Sequence, residues 1–180
     1  LSGTSAPNSG RISVGAKSPL TGTIKESNSG GSFSQKMARM GIKALVIEGM
    51  PKDDKFYVLK IDMNGVTIDE APAEILGGTG NYEAIKVLSA KYGEKVGIAI
   101  VGPAGEYRLP TANISFKDPE GNIRSAGRGG LGAVMGSKKV KAIVLDDTGA
   151  GAVPIADPEK FKAASKVFAK ALMDHPVSGQ

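Results

Sequence analysis

The sequence contains no cysteine and no tryptophan, and it has a single histidine, His175. Without cysteine there is no disulfide, thiolate-held zinc, iron–sulfur ligation or cysteine nucleophile within these residues. One histidine cannot build a multi-histidine metal site, and a histidine-dependent triad would rest on His175 alone. No apolar run approaches the roughly 18 to 20 residues of a membrane-spanning helix, and no charged-then-apolar segment opens the chain as a secretory signal does. Aromatic rings come only from four tyrosines and five phenylalanines. The 23 basic and 18 acidic side chains are dispersed, so the net charge of +5 forms no basic stripe of the kind nucleic-acid binders carry. The expected partners are therefore neither nucleic acid nor membrane. The basic balance reads as a solvated surface, with phosphate-bearing small ligands as the functional option.

What is abundant is glycine: 25 of 180 residues, about twice the usual share of roughly 7%. Backbone is therefore expected to take roles that side chains normally fill. The length is that of one domain with a core of its own. The opening, Leu1-Ser-Gly-Thr-Ser-Ala-Pro7, reads as loop rather than as a natural start, so the chain is expected to be a fragment or processed piece.

Along the chain, Arg11 to Lys17 suits a strand and Asn28-Ser29-Gly30-Gly31 is a glycine-rich loop. A short helix is expected from Ser32 or Ser34 to Met40, ended by Gly41. Lys43 to Glu48 (KALVIE) has the continuous apolar pattern of a buried strand. Phe56 to Met63, Asn64-Gly65 and Val66 to Asp69 read as a hairpin. A helix fits Asn81 to Tyr92, with Ala84, Ile85, Leu88 and Tyr92 on one face. Strands follow at Lys95 to Val101 and Ala112 to Phe116, with a turn at Asp118 to Asn122 and a return at Ile123. A second glycine loop, Ser125 to Gly132, leads into a short helix to Ser137 and a buried strand, Lys141 to Leu145. The last helix, Pro158 to Met173, is expected to bury Phe161, Ala164, Phe168 and Leu172.

Glycine loop, short helix with methionine and strand occur twice. Asn28 falls on Ser125 and Gly30 on Gly127, an offset of 97 in each case, and the strands follow at 98. A duplicated unit would make two related halves, each offering free backbone N–H groups to a phosphate. Gly127-Arg-Gly129-Gly-Leu-Gly132 also satisfies the dinucleotide pattern G-x-G-x-x-G, with Asp146 19 residues beyond the first glycine. The polar, turn-like residues before Gly127 argue against that reading. Arg11 lies near the first loop and Arg124 and Arg128 flank the second, and a guanidinium fork suits phosphate or a pterin edge.

Five segments carry a specific resemblance: Leu1-Ser-Gly-Thr-Ser-Ala-Pro-Asn-Ser-Gly-Arg11, Lys17-Ser-Pro-Leu-Thr-Gly22, Asn28-Ser-Gly-Gly31, Gly102-Pro-Ala-Gly-Glu106 and Ala126-Gly-Arg-Gly-Gly-Leu-Gly-Ala-Val-Met-Gly-Ser-Lys138. Taken in order, with Val153-Pro-Ile-Ala-Asp157, they resemble the N-terminal domain of the tungsten-dependent aldehyde ferredoxin oxidoreductases over nearly the whole chain. The resemblance implies an α+β fold of two related β-rich halves with short helices, a pseudo-twofold repeat forming a saddle beneath a tungsten bis-pterin. All of residues 1–180 would belong to this pterin-binding domain. It implies a parent oxidoreductase that converts small aldehydes to carboxylic acids and passes electrons through a 4Fe–4S cluster to ferredoxin. Cluster ligands and acid/base residues would lie in other domains, so no residue here is expected to be catalytic.

Carried over by motif, Arg11 and Arg124 would contact the pterins, and Asn28, Gly30, Ser125 and Gly127 would line their phosphate ends. The backbone carbonyls of Asn28 and Ser125 would hold a magnesium ion bridging the two phosphates. Two departures from the family pattern stand out: Ser125 where relatives often carry Ala, and Ile75-Leu-Gly-Gly78 in place of a Leu-Trp-Gly segment. A cytoplasmic setting is expected, and a homo-oligomeric parent is left open. The alternative reading is a non-catalytic nucleotide- or phosphate-binding module that uses the same two loops.

Overall fold

The computed structural model describes residues 1–179. Two β-sheets form, one small and one large. In the small sheet β1 (Ile12–Lys17) pairs antiparallel with β2 (Ile24–Ser29), Ile12 opposite Ser29 and Lys17 opposite Ile24. The large sheet has six strands in the order β4-β3-β8-β5-β6-β7. These are β3 (Tyr57–Asp62), β4 (Gly65–Glu70), β5 (Gly97–Ile100), β6 (Ile114–Lys117), β7 (Ile123–Ala126) and β8 (Val140–Leu145). All its pairs are antiparallel except β3 with β8.

Five helices complete the chain: α1 (Phe33–Arg39), α2 (Asn81–Tyr92), α3 (Pro103–Glu106), α4 (Leu131–Ser137) and α5 (Pro158–Asp174). Side chains alternate across a strand, so β5 sends Ile98 and Ile100 to one face of the large sheet and Ala99 to the other. The first face packs on α2 through Ala84, Ile85 and Leu88. The second packs on α1 and α4 through Phe33, Met37, Leu131 and Met135, with β1 partly buried against it. There Phe33 meets Phe116 edge to face at 5.3 Å between ring centres. β8 is buried at every residue, as its unbroken apolar run requires of a strand covered on both sides. No helix of the described residues is long and apolar enough to cross a membrane.

Most expected elements are present, α2 with the same bounds, and four expectations need correction. Residues 43–48 are not a strand: they lie outside both sheets, with Leu45 and Ile47 partly covered and Val46 75% exposed. An apolar run becomes a buried strand only where a neighbouring strand offers its edge, and no ladder reaches this one. The hairpin loop is Met63-Asn64 rather than Asn64-Gly65, because Gly65 already pairs with Asp62. The stripe on α5 is amphipathic, as read, but none of its residues is buried. Finally, sheets of two and six strands are not equal halves, and neither a clear pseudo-twofold repeat nor a closed saddle is present among the described residues. The duplicated pattern holds from hairpin through glycine loop to seven-residue helix. It fails at the strand, where β8 has no counterpart in 43–48.

Candidate functional site

The two glycine loops meet although they lie far apart in the chain. β2 runs into the first and β7 into the second, and these two strands lie against each other. Ser27 Oγ on β2 accepts a hydrogen bond from the Arg128 N–H at 3.2 Å. Ser18 Oγ, in the β1–β2 connection, donates to the Gly129 carbonyl at 2.7 Å. Between the first glycine loop, the stretch up to Arg11, α1 and the β6–β7 hairpin opens a cavity of about 950 Å³ whose lining includes Arg11, Gly30, Lys36, Arg39, Asp118 and Arg124. Arg11, Gly30 and Arg124, three of the six expected cofactor residues, thus share one cavity. Asn28, Ser125 and Gly127 are exposed and lie outside that lining. Asn28 sits opposite Ser13 near the end of β2 and Ser125 opposite Ser115 on β7, with Gly127 just beyond. The Asn28 side chain donates to Glu26 at 3.2 Å.

Two carboxylates organise the charge around the cavity, the buried Asp118 in its lining and the half-buried Asp147 behind α1. Asp118, 3% exposed, accepts from Arg124 Nε through Oδ2 at 3.2 Å. Its Oδ1 accepts from the Glu120 and Asn122 N–H groups at 3.0 and 2.8 Å. Asp147 binds Lys36 and Arg39 of α1. Burial pushes the Asp147 carboxyl up, but the hydrogen bond and charge of Lys36, then those of Arg39, outweigh it and hold the group below its ordinary value. Lys36 and Arg39 are thereby engaged. Arg11 and the terminal nitrogens of Arg124 make no ion pair among the described residues, which leaves them available to an anion in the cavity. The helix ends add little: α1 and α4 have seven residues each.

The glycines divide into two groups. A Cβ at Gly132 would stand 2.1 Å from the Asn113 carbonyl oxygen, and one at Gly136 would stand 1.9 Å from that of Gly105. These glycines let α4 close on α3 and on the segment before β6. At Gly30 and Gly127 an added Cβ meets nothing within 4 Å and φ is not left-handed, so neither packing nor turn geometry calls for glycine there. The open space at these two positions is where a ligand can approach backbone. The dinucleotide pattern fails on topology. β7 antiparallel to β6, β6 to β5 and β5 to β8 leave β7 and β8 running in opposite senses, whereas a dinucleotide site needs a parallel βαβ unit.

Sequence reasoning missed Asp118, Ser27 and Ser18. Asp118 was legible as the start of a turn, but its pairing with Arg124 follows only from the β6–β7 hairpin, which places Phe116 opposite Arg124. Ser27 and Ser18 carried no signal, because their partners lie across the fold. Among the described residues no group of three or more His, Cys, Asp or Glu is arranged to hold a metal.

Residues 1–147 match the family model described as aldehyde ferredoxin oxidoreductase, N-terminal domain. The tungsten-containing aldehyde ferredoxin oxidoreductases of Pyrococcus furiosus and Pyrococcus abyssi are 41% and 42% identical to this chain over 180 residues, covering 99% of it and 28% of their own length. Among solved structures, the active site complex BamBC of benzoyl coenzyme A reductase, in complex with 1,5-dienoyl-CoA, superposes with a TM-score of 0.84 at 27% identity. That match covers 98% of this chain and 26% of the other. The chain spans about a quarter of the length of the curated relatives it matches. With its motifs, its fold and a profile match over most of its length in agreement, the chain belongs to the aldehyde ferredoxin oxidoreductase family, through that family's N-terminal domain.

Proposed function

We propose that residues 1–180 form the pterin-binding domain of a parent enzyme that oxidises small aldehydes to carboxylic acids. The observation that carries this reading is that Arg11, Gly30 and Arg124, which the family resemblance assigns to the cofactor, share one cavity. The donor set fits the group: the Arg11 guanidinium and the terminal nitrogens of Arg124, whose Nε alone is held by Asp118, suit phosphate and pterin edges, and the free space beside Gly30 and Gly127 admits close approach of a ligand to the main chain. Asn28 and Ser125 would offer carbonyl oxygens to a magnesium ion shared with the two pterin phosphates, an oxygen-rich set of the kind magnesium takes.

When bound, the tungsten bis-pterin supplies the two-electron chemistry, as cofactors generally do. This chain's residues bind and orient. Arg11 and Arg124 would contact the pterins, Gly30 and Gly127 would leave room beside their phosphate ends, and Ser27 and Ser18 tie the β1–β2 hairpin to the second loop. Electrons would leave through a 4Fe–4S cluster to ferredoxin. With no cysteine in this chain, the cluster ligands would belong to the rest of the parent, where the family resemblance also puts the acid/base groups. The similarity to a benzoyl coenzyme A reductase complex supports a cofactor-holding role that tolerates different substrates, with substrate choice made outside this domain. A cytoplasmic parent is part of the same reading.

The test is Arg11→Ala and Arg124→Ala in the parent protein, with pterin and tungsten measured per polypeptide. Each loss of a charge-assisted contact costs roughly 1.5 to 3 kcal/mol, so both variants are expected to purify with reduced content. Full content in both would overturn the proposal. A parent with neither pterin nor downstream cysteines would favour the non-catalytic phosphate-binding module instead.

A further inference from the structure

We infer that Asp118 is a positioning residue that aims Arg124 at the ligand from beside the first glycine loop, an inference that rests on the pterin-binding reading of the cavity. Three observations meet at this carboxylate. Its side chain is buried to 3% exposure, whereas the Arg124 side chain beside it is 58% exposed. An exposed arginine samples many rotamers, and a buried carboxylate on Nε removes that freedom while leaving both terminal nitrogens for a second acceptor. Its Oδ1 gathers the N–H groups of Glu120 and Asn122, so the same group that holds the arginine also sets the turn between β6 and β7. Its backbone abuts the first loop: a Cβ at Gly31 would lie 3.4 Å from the Lys117 carbonyl oxygen and 3.9 Å from Asp118 Cα. One residue thus lies beside the first loop with its main chain and holds, with its carboxylate, the β7 arginine that precedes the second loop.

The role makes a prediction opposite in sign to simple electrostatics. A carboxylate beside an anionic ligand repels it, so removing that charge should tighten binding if charge alone mattered. If Asp118 positions Arg124, its loss loosens binding instead. Asp118→Asn separates the two. An asparagine Oδ1 still accepts from Glu120 and Asn122, keeping the turn, but presents an amide in place of a charge to Arg124.

The experiment uses the parent protein carrying Asp118→Asn, Arg124→Gln, both together, or Arg124→Lys. It follows the pterin retained during timed dialysis, with the thermal unfolding midpoint recorded for each. Asp118→Asn is expected to release pterin about tenfold faster than the unaltered protein, the order seen when a partner orienting a ligating group is lost. In the Arg124→Gln background it should add nothing. Arg124→Lys, a change at an exposed position, keeps the charge without the fork and should behave like Asp118→Asn even if the latter folds poorly. Retention equal to or longer than the unaltered protein in Asp118→Asn or Arg124→Lys would overturn the inference, as would additive effects in the double variant. Unchanged retention in Arg124→Gln would sink both this inference and Arg124's part in the proposed function. Weak retention there beside full retention in Asp118→Asn would sink the inference alone.

Discussion

At the scale of single residues, the informative contrast is between glycines that close the fold and glycines that leave it open. Gly136 and Gly132 stand where any side chain would strike a backbone carbonyl oxygen, and such an atom cannot move without unpacking α3 or the segment at Asn113. Gly136→Ala is therefore expected to destabilise by about 3 kcal/mol or more. Gly127→Ala, with nothing within 4 Å of the new methyl group, should stay within about 0.5 kcal/mol. Thermal unfolding of the parent protein carrying each change checks both. The same Gly127→Ala protein should hold less pterin, because its methyl group occupies the space left for the ligand. A stability loss at Gly127 equal to that at Gly136 would remove the reason for treating Gly127 as a binding position. The run Gly127 to Gly136 looks uniform in sequence, and only the distances separate its two functions.

At the scale of elements, the central join is between β8 and α3. Lys141 on β8 is fully buried, and its ammonium donates to Glu106 on α3 and to the Val101 carbonyl at 2.7 Å. Burial pushes the Lys141 pKa down, with Glu106 opposing it incompletely. Lys141→Ala leaves a buried carboxylate without its charge partner and is expected to cost about 3 to 5 kcal/mol. Lys141→Met combined with Glu106→Gln should recover most of that loss, since a buried pair replaced as a whole is often close to neutral. Thermal unfolding of the single and double variants decides it, and a double variant no more stable than the single would refute the argument. This join also marks what could and could not be read in advance. Val140 to Leu145 (VKAIVL) and residues 42–48 (IKALVIE) are nearly the same string, yet one is the buried middle of a six-stranded sheet and the other lies outside any sheet. Local pattern measures how readily a segment is buried, while the partner edges that make it a strand lie elsewhere in the chain. α2 was legible because its stripe and its terminating Gly93 are both local. The stripe of α5 was equally legible, but its burial was not, because burial depends on a second surface.

At the scale of the whole molecule, the candidate site is a meeting of segments from three regions: the stretch up to Arg11, the loop after β2 and the β6–β7 hairpin. Motif matching named Arg11, Gly30 and Arg124 one by one; that they share a cavity is a property of the fold. α1 forms part of the same wall, and Asp147, just past β8, holds it there through Lys36 and Arg39. That tether is sensitive to acid, with a definite sign. The folded Asp147 carboxyl titrates below its ordinary value, so between the two values the unfolded chain binds the extra proton. The stabilisation is therefore complete above the unfolded value of about 3.9 and is lost as pH falls through the folded one. The parent protein is expected to keep a constant contribution from this tether from pH 7 down to about pH 5 and to lose it progressively below about pH 4. An Asp147→Asn protein should be less stable at pH 7 and should lose less on acidification. Thermal unfolding midpoints followed from pH 7 to pH 3 for both proteins give the comparison. Curves that stay parallel through the acid range would show that Asp147 does not carry the tether. Converging curves would show that Asp147 anchors α1, whose Lys36 and Arg39 line the cavity with Arg11 and Arg124, so that pterin retention should weaken over the same pH range.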